Sequence, residues 1–234
     1  MITDAEFFSR AKEVINAGDW ELEKSHGGTG GVGKLLEELL GIDGGNFDTP
    51  DHGRWEVKTH TGTSTLLTLF HKTGSPNMSC ILESDYSYRP NDDPTKPLSY
   101  RNTVYGKTPN SHGFFAESDR NQNKVTLFNI NDEPRKPYSS WSYDDLMTAF
   151  SYKLRRLLVV QATKRGGTAS FGPATAYSDP YLSRFPDMVA DGTVAIDLDA
   201  KYKRLDSSAI RDHGTKFRIA TGNLPKLYQN QRTL

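Results

Sequence analysis

Asp51, Glu56 and Lys58 are spaced as D-x-x-x-x-E-x-K within Pro50-Asp51-His52-Gly53-Arg54-Trp55-Glu56-Val57-Lys58. Metal-assisted hydrolysis of a phosphodiester needs this set of side chains. Two carboxylates hold a hard divalent cation through oxygen. The cation neutralises charge on the phosphoryl oxygens and lowers the pKa of bound water. A lysine beside it orients that water or helps it ionise. Residues 53–59 read as a strand, so Trp55, Val57 and Thr59 share one face while Glu56 and Lys58 share the other. The two charged residues then stand about 7 Å apart along the chain. Asp51 falls in the turn before the strand and can bend back to the same place. The bare pattern also describes an edge strand with a solvated charged face, because 25% of all residues are charged.

A second cluster lies near the C-terminus, where Arg211, Asp212, His213, Lys216 and Arg218 place five polar groups in eight positions. Arginine offers a two-pronged contact to guanine, histidine and lysine can donate to the same edge, and aspartate can accept from cytosine N4. The competing reading is a strand or turn with an ordinary charged face. Lys164-Arg165-Gly166-Gly167 is a basic turn that suits either a phosphate contact or solvent.

A third motif, Gly28-Thr29-Gly30-Gly31-Val32-Gly33-Lys34, imitates a phosphate-binding loop. It fails at the next position, where Leu35 replaces the magnesium-holding Ser or Thr, and no buried strand precedes it. The glycines read instead as the entry to a helix that packs Leu35, Leu36, Leu39 and Leu40.

The elements that must position these residues follow from periodicity and turn signals. Phe7, Phe8, Ala11, Val14 and Ile15 recur at helical spacing, predicting a helix over 4–16 that Gly18 stops. Residues 34–40 read as a helix ended by Gly41, residues 65–71 as a strand, and 125–130 as another. Residues 86–124 are polar loops and short strands, whose Tyr86, Tyr88, Tyr100 and Tyr105 suit a DNA cleft or packing beneath loops. Ser142 caps a helix over about 143–156, with Lys153, Arg155 and Arg156 at the end where the helix dipole favours cations. A buried strand over 157–162 precedes Gly166-Gly167, taken as the boundary between lobes 1–165 and 166–234. A short helix near 178–185 and a strand near 193–198 complete the chain. The strands and helices within 53–71 and 125–162 are expected to form the catalytic core.

The order of two motifs along the chain carries a resemblance. Val32-Gly33-Lys34-Leu35-Leu36-Glu37, Leu39-Leu40-Gly41-Ile42, Asp51 to Lys58 and Leu67-Thr68-Leu69-Phe70 resemble the MvaI/BcnI-type restriction endonucleases. These are relatives of the MutH nickase within the PD-(D/E)xK nucleases. Ile210 to Ile219 is similar to that family's C-terminal signature; the polar middle is largely unmatched. The resemblance implies an α/β fold, with a restriction-endonuclease-like mixed central sheet flanked by helices and two lobes around a DNA-binding cleft. It implies Asp51 and Glu56 as metal-binding carboxylates, the Val57 carbonyl as a further ligand, Lys58 as the catalytic lysine and Glu37 as a helix glutamate supporting the metal. It implies base contacts from 210–219, with His213 and Arg218 foremost, Asp212 and Lys216 next, and Arg211 at a phosphate, as for Arg165. The implied cofactor is Mg2+, with Mn2+ as a substitute. The implied partners are double-stranded DNA, at a near-palindromic site with outer C:G pairs, and a companion methyltransferase. The implied agent is a monomer that nicks each strand in turn. His52 reads as a turn residue or DNA contact, and His60 and His71 as structural. The rivals are a MutH-like strand-nicking repair enzyme and a non-catalytic DNA-binding module of the same fold.

Composition narrows the classes without choosing among them. The 234 residues suit one large domain or two small lobes, and 35% are hydrophobic. The longest apolar run, Leu157 to Val160, is far too short for a membrane span. A single cysteine, Cys80, rules out an internal disulfide and a cysteine cluster for zinc, and with the acidic N-terminus it fits a reducing cytoplasm, which the resemblance implies is bacterial or archaeal. The charge is zero overall, 29 basic against 29 acidic residues. The zero is a cancellation: residues 1–134 carry 13 basic and 20 acidic groups, and residues 135–234 carry 16 and 9. The basic second half suits a polyanion.

Overall fold

A computed structural model describes residues 3–28, 30–42, 50, 54–62, 66–205, 209–212 and 215–234, without the side chain of Asp212. From the N-terminus the chain forms α1 (Asp4–Asn16), β1 (Asp19–Glu21), α2 (Gly31–Leu40), β2 (Glu56–His60) and β3 (Leu66–His71). Next come α3 (Ser79–Leu82), β4 (Ser99–Val104), β5 (Phe114–Asp119), β6 (Lys124–Asn129), β7 (Ser139–Ser142) and α4 (Tyr143–Leu154). The remainder is β8 (Arg156–Arg165), β9 (Thr168–Pro180), α5 (Phe185–Ala190), β10 (Val194–Tyr202), β11 (Ile210–Asp212), β12 (Lys216–Ala220), α6 (Leu224–Leu227) and β13 (Tyr228–Thr233). No helix among the described residues is long and apolar enough to cross a membrane.

The chain divides into two compact units built from separated stretches. One comprises residues 1–67, 151–181 and 224–234; the other comprises 68–150 and 182–223. Gly166 and Gly167 turn β8 back onto β9 within the first unit, so the boundary expected at 165/166 falls inside a hairpin. The glycines serve this tight reversal, and the C-terminal strand returns to the first unit to pair with β9.

The first unit holds a mixed sheet in the order β1-β9-β8-β2, with β13 also on β9. β2 lies parallel to β8, Glu56 beside Leu157 and Lys58 beside Val159, while β9 runs antiparallel to β8. On one face Trp55, Val57, Leu158 and Val160 are buried in a cluster with Phe7, Ala11 and Val14 of α1 and Leu35, Leu36 and Leu40 of α2. Each Val, Leu or Phe side chain among them is worth about 1.5–3 kcal/mol on full burial. The periodicity of the two helices was thus a reading of this packed face. Gly31 is required by close approach, since a Cβ there would stand 1.7 Å from the His26 carbonyl oxygen. Gly33 brings α2 against β2, its Cβ position lying 3.3 Å from Thr59 Oγ1. The glycine motif therefore serves helix packing, as expected.

The second unit contains a sheet in the order β11-β10-β12-β3, with β4 also on β10, and a β5-β6-β7 meander. Its core is aromatic: Phe70 stacks on Phe217 with centroids 5.1 Å apart, and Phe185 lies 5.5 Å from Phe70. Two sequence expectations change here. The helix expected near 178–185 is strand up to Pro180, because this stretch is paired with both β8 and β13; the helix begins at Phe185, with Pro186 in its first turn. The expected core pieces also separate. β2 and β8 share one sheet, β3 enters the second and β6 the meander, because hydrogen-bond partners are chosen by tertiary packing rather than by sequence proximity.

Asp4, the first residue of α1, ties the residues just before β2 to the start of β8. Its carboxylate accepts hydrogen bonds from Arg54 (2.8 Å), the Trp55 indole (3.1 Å) and Arg156 (2.6 Å). Partial burial pushes the Asp4 carboxyl up, but the hydrogen bonds from Arg54 and Trp55 and the charges of Arg54 and Arg156 outweigh it and hold it below the ordinary value. A carboxyl lowered in the folded state stabilises the protein above its unfolded pKa and loses that contribution as pH falls through the folded pKa. Asp4→Asn is expected to lower stability by about 1.5–3 kcal/mol at neutral pH, the range for hydrogen bonds to a charged group. Urea unfolding measured against pH checks this: the gap from wild type should begin to close near the unfolded value of 3.8 and vanish at lower pH.

Candidate active site

Glu56 opens β2, an end strand of its sheet. Its neighbour across the ladder, Leu157, is fully buried, and Tyr228 nearby is buried; the Glu56 side chain is only 2% exposed. Moving an isolated carboxylate into such surroundings costs several kcal/mol unless cations and hydrogen bonds compensate. Lys58, two residues along the same face, donates to Glu56 Oε1 at 2.7 Å. Lys153, from the last turn of α4, places its ammonium 3.6 Å from the same oxygen. The Tyr228 hydroxyl donates to the Leu154 carbonyl at 2.9 Å, which fixes the end of that helix. Burial, then the negative charge of Glu56, pushes the Tyr228 phenol well up, so it stays a neutral donor.

The strand alternation predicted for Glu56 and Lys58 is therefore realised as a direct ion pair on the face opposite Trp55 and Val57. Glu37 is half-buried on α2, four residues from Gly33 and so on the helix side that faces Thr59. Its neighbour Glu38 is no plain solvated residue: its carboxylate lies 2.7 Å from Nε2 of buried His26, whose Nδ1 accepts from the Glu23 amide. Asp51 and His52 lie outside the described residues. Among the described residues no group of three or more His, Cys, Asp or Glu side chains gathers as a metal site. The donors at hand, the Glu56 carboxylate and the carbonyls of its strand, are hard oxygens, and they suit a cation such as Mg2+.

Lys153 and Tyr228 were not singled out as site residues from sequence. Lys153 had a local explanation in the helix dipole, and only the fold brings residues nearly a hundred positions apart to one oxygen. No sequence signal marks Tyr228.

The second set of expected residues lies mostly on the sheet of the other unit. On β12, Arg218 Nη1 stands 3.2 Å from Asp197 Oδ2 and Lys216 Nζ 3.6 Å from Asp199 Oδ2. Thr103 of β4 donates to the other oxygen of Asp197 at 3.0 Å. The alternation Ile196-Asp197-Leu198-Asp199 sends the apolar residues into the core and the aspartates to the face of Lys216 and Arg218. That pattern was a usable signal for both aspartates and was missed. Arg211 of β11 pairs with Lys201 of β10. With Lys203 and Ile210 they line an open groove of about 620 Å³. Asp212 continues β11 in its backbone, and His213 lies outside the described residues. Arg165 is exposed at the end of β8, in the first unit, and so is not part of this sheet.

The fold is similar to that of the restriction endonuclease MvaI in complex with its cognate DNA substrate, with TM-score 0.80 and 23% identity over 100% of this chain and 99% of that one. It is also similar to MvaI in the absence of DNA, with TM-score 0.57 and 24% identity over 100% and 99% of the two chains. Among curated proteins none matches. The restriction-endonuclease-like α/β fold is thereby shown. The MvaI/BcnI restriction endonuclease family matches residues 10–228, a span that includes both the β2 motif and the β11–β12 segment. The chain belongs to the MvaI/BcnI restriction endonuclease family and is a site-specific, DNA-cleaving type II endonuclease.

Proposed function

We propose that this endonuclease hydrolyses both strands of duplex DNA at a short specific site with Mg2+, leaving 5′-phosphate ends. The observation that carries the reading is the buried Glu56 held beside Lys58 on an end strand. Restriction endonucleases generally use divalent metal ions, and Mg2+, with Mn2+ as a substitute, suits the oxygen donors here. In this reading Asp51, Glu56 and the Val57 carbonyl hold the metal and Glu37 supports them. Once bound, the metal neutralises phosphoryl charge and makes water a stronger nucleophile. Lys58 orients the attacking water and offsets charge that builds on the phosphoryl group. The burial of Glu56 keeps bulk water from competing for the carboxylate.

Base reading falls to Arg218, with Lys216 and Asp212 beside it and His213 in the adjoining segment. The carboxylates of Asp197 and Asp199 hold the two cations in fixed directions before DNA arrives. Arg211 and Arg165 meet phosphates. The DNA-bound state of the similar MvaI structure supports duplex DNA as the ligand. The family resemblance supports a monomer that nicks each strand in turn and a companion methyltransferase that protects the host site.

Cleavage of supercoiled plasmid tests the reading. Linear product from the purified protein with Mg2+ is expected. Open circles that persist until a second protein is added would favour a MutH-like nicking enzyme, and intact plasmid throughout would leave only a DNA-binding module. Asp51→Ala and Glu56→Gln should each abolish cutting while specific binding persists in Ca2+. Lys58→Ala should slow cutting by about 10²–10⁴-fold, the usual span for a positioned proton-transfer or water-orienting group. Arg218→Ala should cost about 1–3 kcal/mol of discrimination at one base pair. Competition binding against single-substituted sites would reveal it, and uniform loss across all sites would reduce Arg218 to a phosphate contact.

A further inference from the structure

Two lysines converge on one carboxylate oxygen, and they reach it by different routes. Lys58 comes from the same strand; Lys153 comes from the last turn of α4 and stands 3.6 Å from Glu56 Oε1. Its position is built into the fold. The adjacent Leu154 is fully buried, and its carbonyl accepts the hydroxyl of Tyr228 on the C-terminal strand. Lys153 is itself mostly covered, with 22% of its side chain exposed. An ammonium held so near a buried carboxylate offsets its charge at short range, where screening by solvent is weak. A divalent cation on Glu56 would stand within a few ångströms of the same ammonium, and the two cations would repel.

We infer that Lys153 is a positioning residue of the active site: it supplies the countercharge that holds Glu56 in place before the metal binds, and it weakens metal binding by repulsion. This inference rests on the reading of Glu56 as a metal ligand. It assigns Lys153 two opposing effects, which a purely structural lysine would not show. Removing its charge destabilises the metal-free protein and tightens the hold on a divalent cation.

The test uses the full chain and Ca2+, which allows binding without cleavage. Lys153→Met is expected to lower Tm in EDTA and to bind Ca2+ at least about threefold more tightly in a calorimetric titration, the direction set by loss of a like charge beside the site. Lys153→Arg should stay close to wild type in both. Ca2+ affinity that is unchanged or weaker in Lys153→Met overturns the inference. A measurement on the wild type keeps the test alive if Lys153→Met does not fold. Amine acetylation at Lys153, read by mass spectrometry, should rise at least about twofold when Ca2+ takes Glu56, because the ion pair that protects the amine is then weakened. An unchanged rate, with Ca2+ shown to bind, overturns the inference. Glu56→Gln separates the two failures. If that variant binds Ca2+ as well as wild type does, the metal-ligand reading of Glu56 falls; if it loses Ca2+ while Lys153 shows no coupling, only the role of Lys153 falls.

Discussion

A carboxylate buried at the start of an end strand sets the terms for the first unit. Glu56 is almost wholly covered, yet its charge must be met at short range, because a lone carboxylate costs several kcal/mol in such surroundings. Two lysines meet it. One comes with the strand itself, and the other requires that the end of α4 be held beside β2. The apolar walls around the carboxylate, Leu157 and Tyr228, come from β8 and β13. Strands distant in sequence thus become conditions for one ion pair.

The placement of β2 depends in turn on both its faces. The face opposite Glu56 carries Trp55 and Val57 into the cluster formed with α1 and α2, and burial there orients the strand. A slip of one residue would exchange Glu56 for Val57, so the hydrophobic face enforces the register that the charged face needs. Asp4 adds a directional constraint, tying the residues just before β2 to the first residue of β8. The start of β2 is thus held on two sides.

In the other unit charge is arranged differently. Arg218 and Lys216 are paired with Asp197 and Asp199 on a sheet face, which limits the rotamers of both long cations. The four side chains are largely covered, so the cost of removing their charges from water offsets much of the attraction within each pair. In the proposed base-reading role their value is direction, since a guanidinium that is already oriented loses less freedom on binding. The basic groove of Lys201, Lys203 and Arg211 lies on the same β10–β11 pairing.

Much of the local structure was determined by sequence alone. The helix over residues 4–16, the glycine entry to α2, the alternation of β2 and the buried strand after residue 156 each follow from short-range periodicity, and each is realised. The juxtaposition of Glu56 with Lys58 was legible because a strand repeats every two residues. The pairing of Lys153 with Glu56, the hub at Asp4 and the return of the C-terminal strand to the first unit were not legible. The division into units was also hidden, because the chain passes between them more than once and two of the crossings fall inside β3 and α4, where no glycine or composition change marks them. The physical reason is common to all of these. Periodicity reports which face of an element is apolar, but the partner of that face, and the counter-ion of a buried charge, are selected only when the whole chain packs.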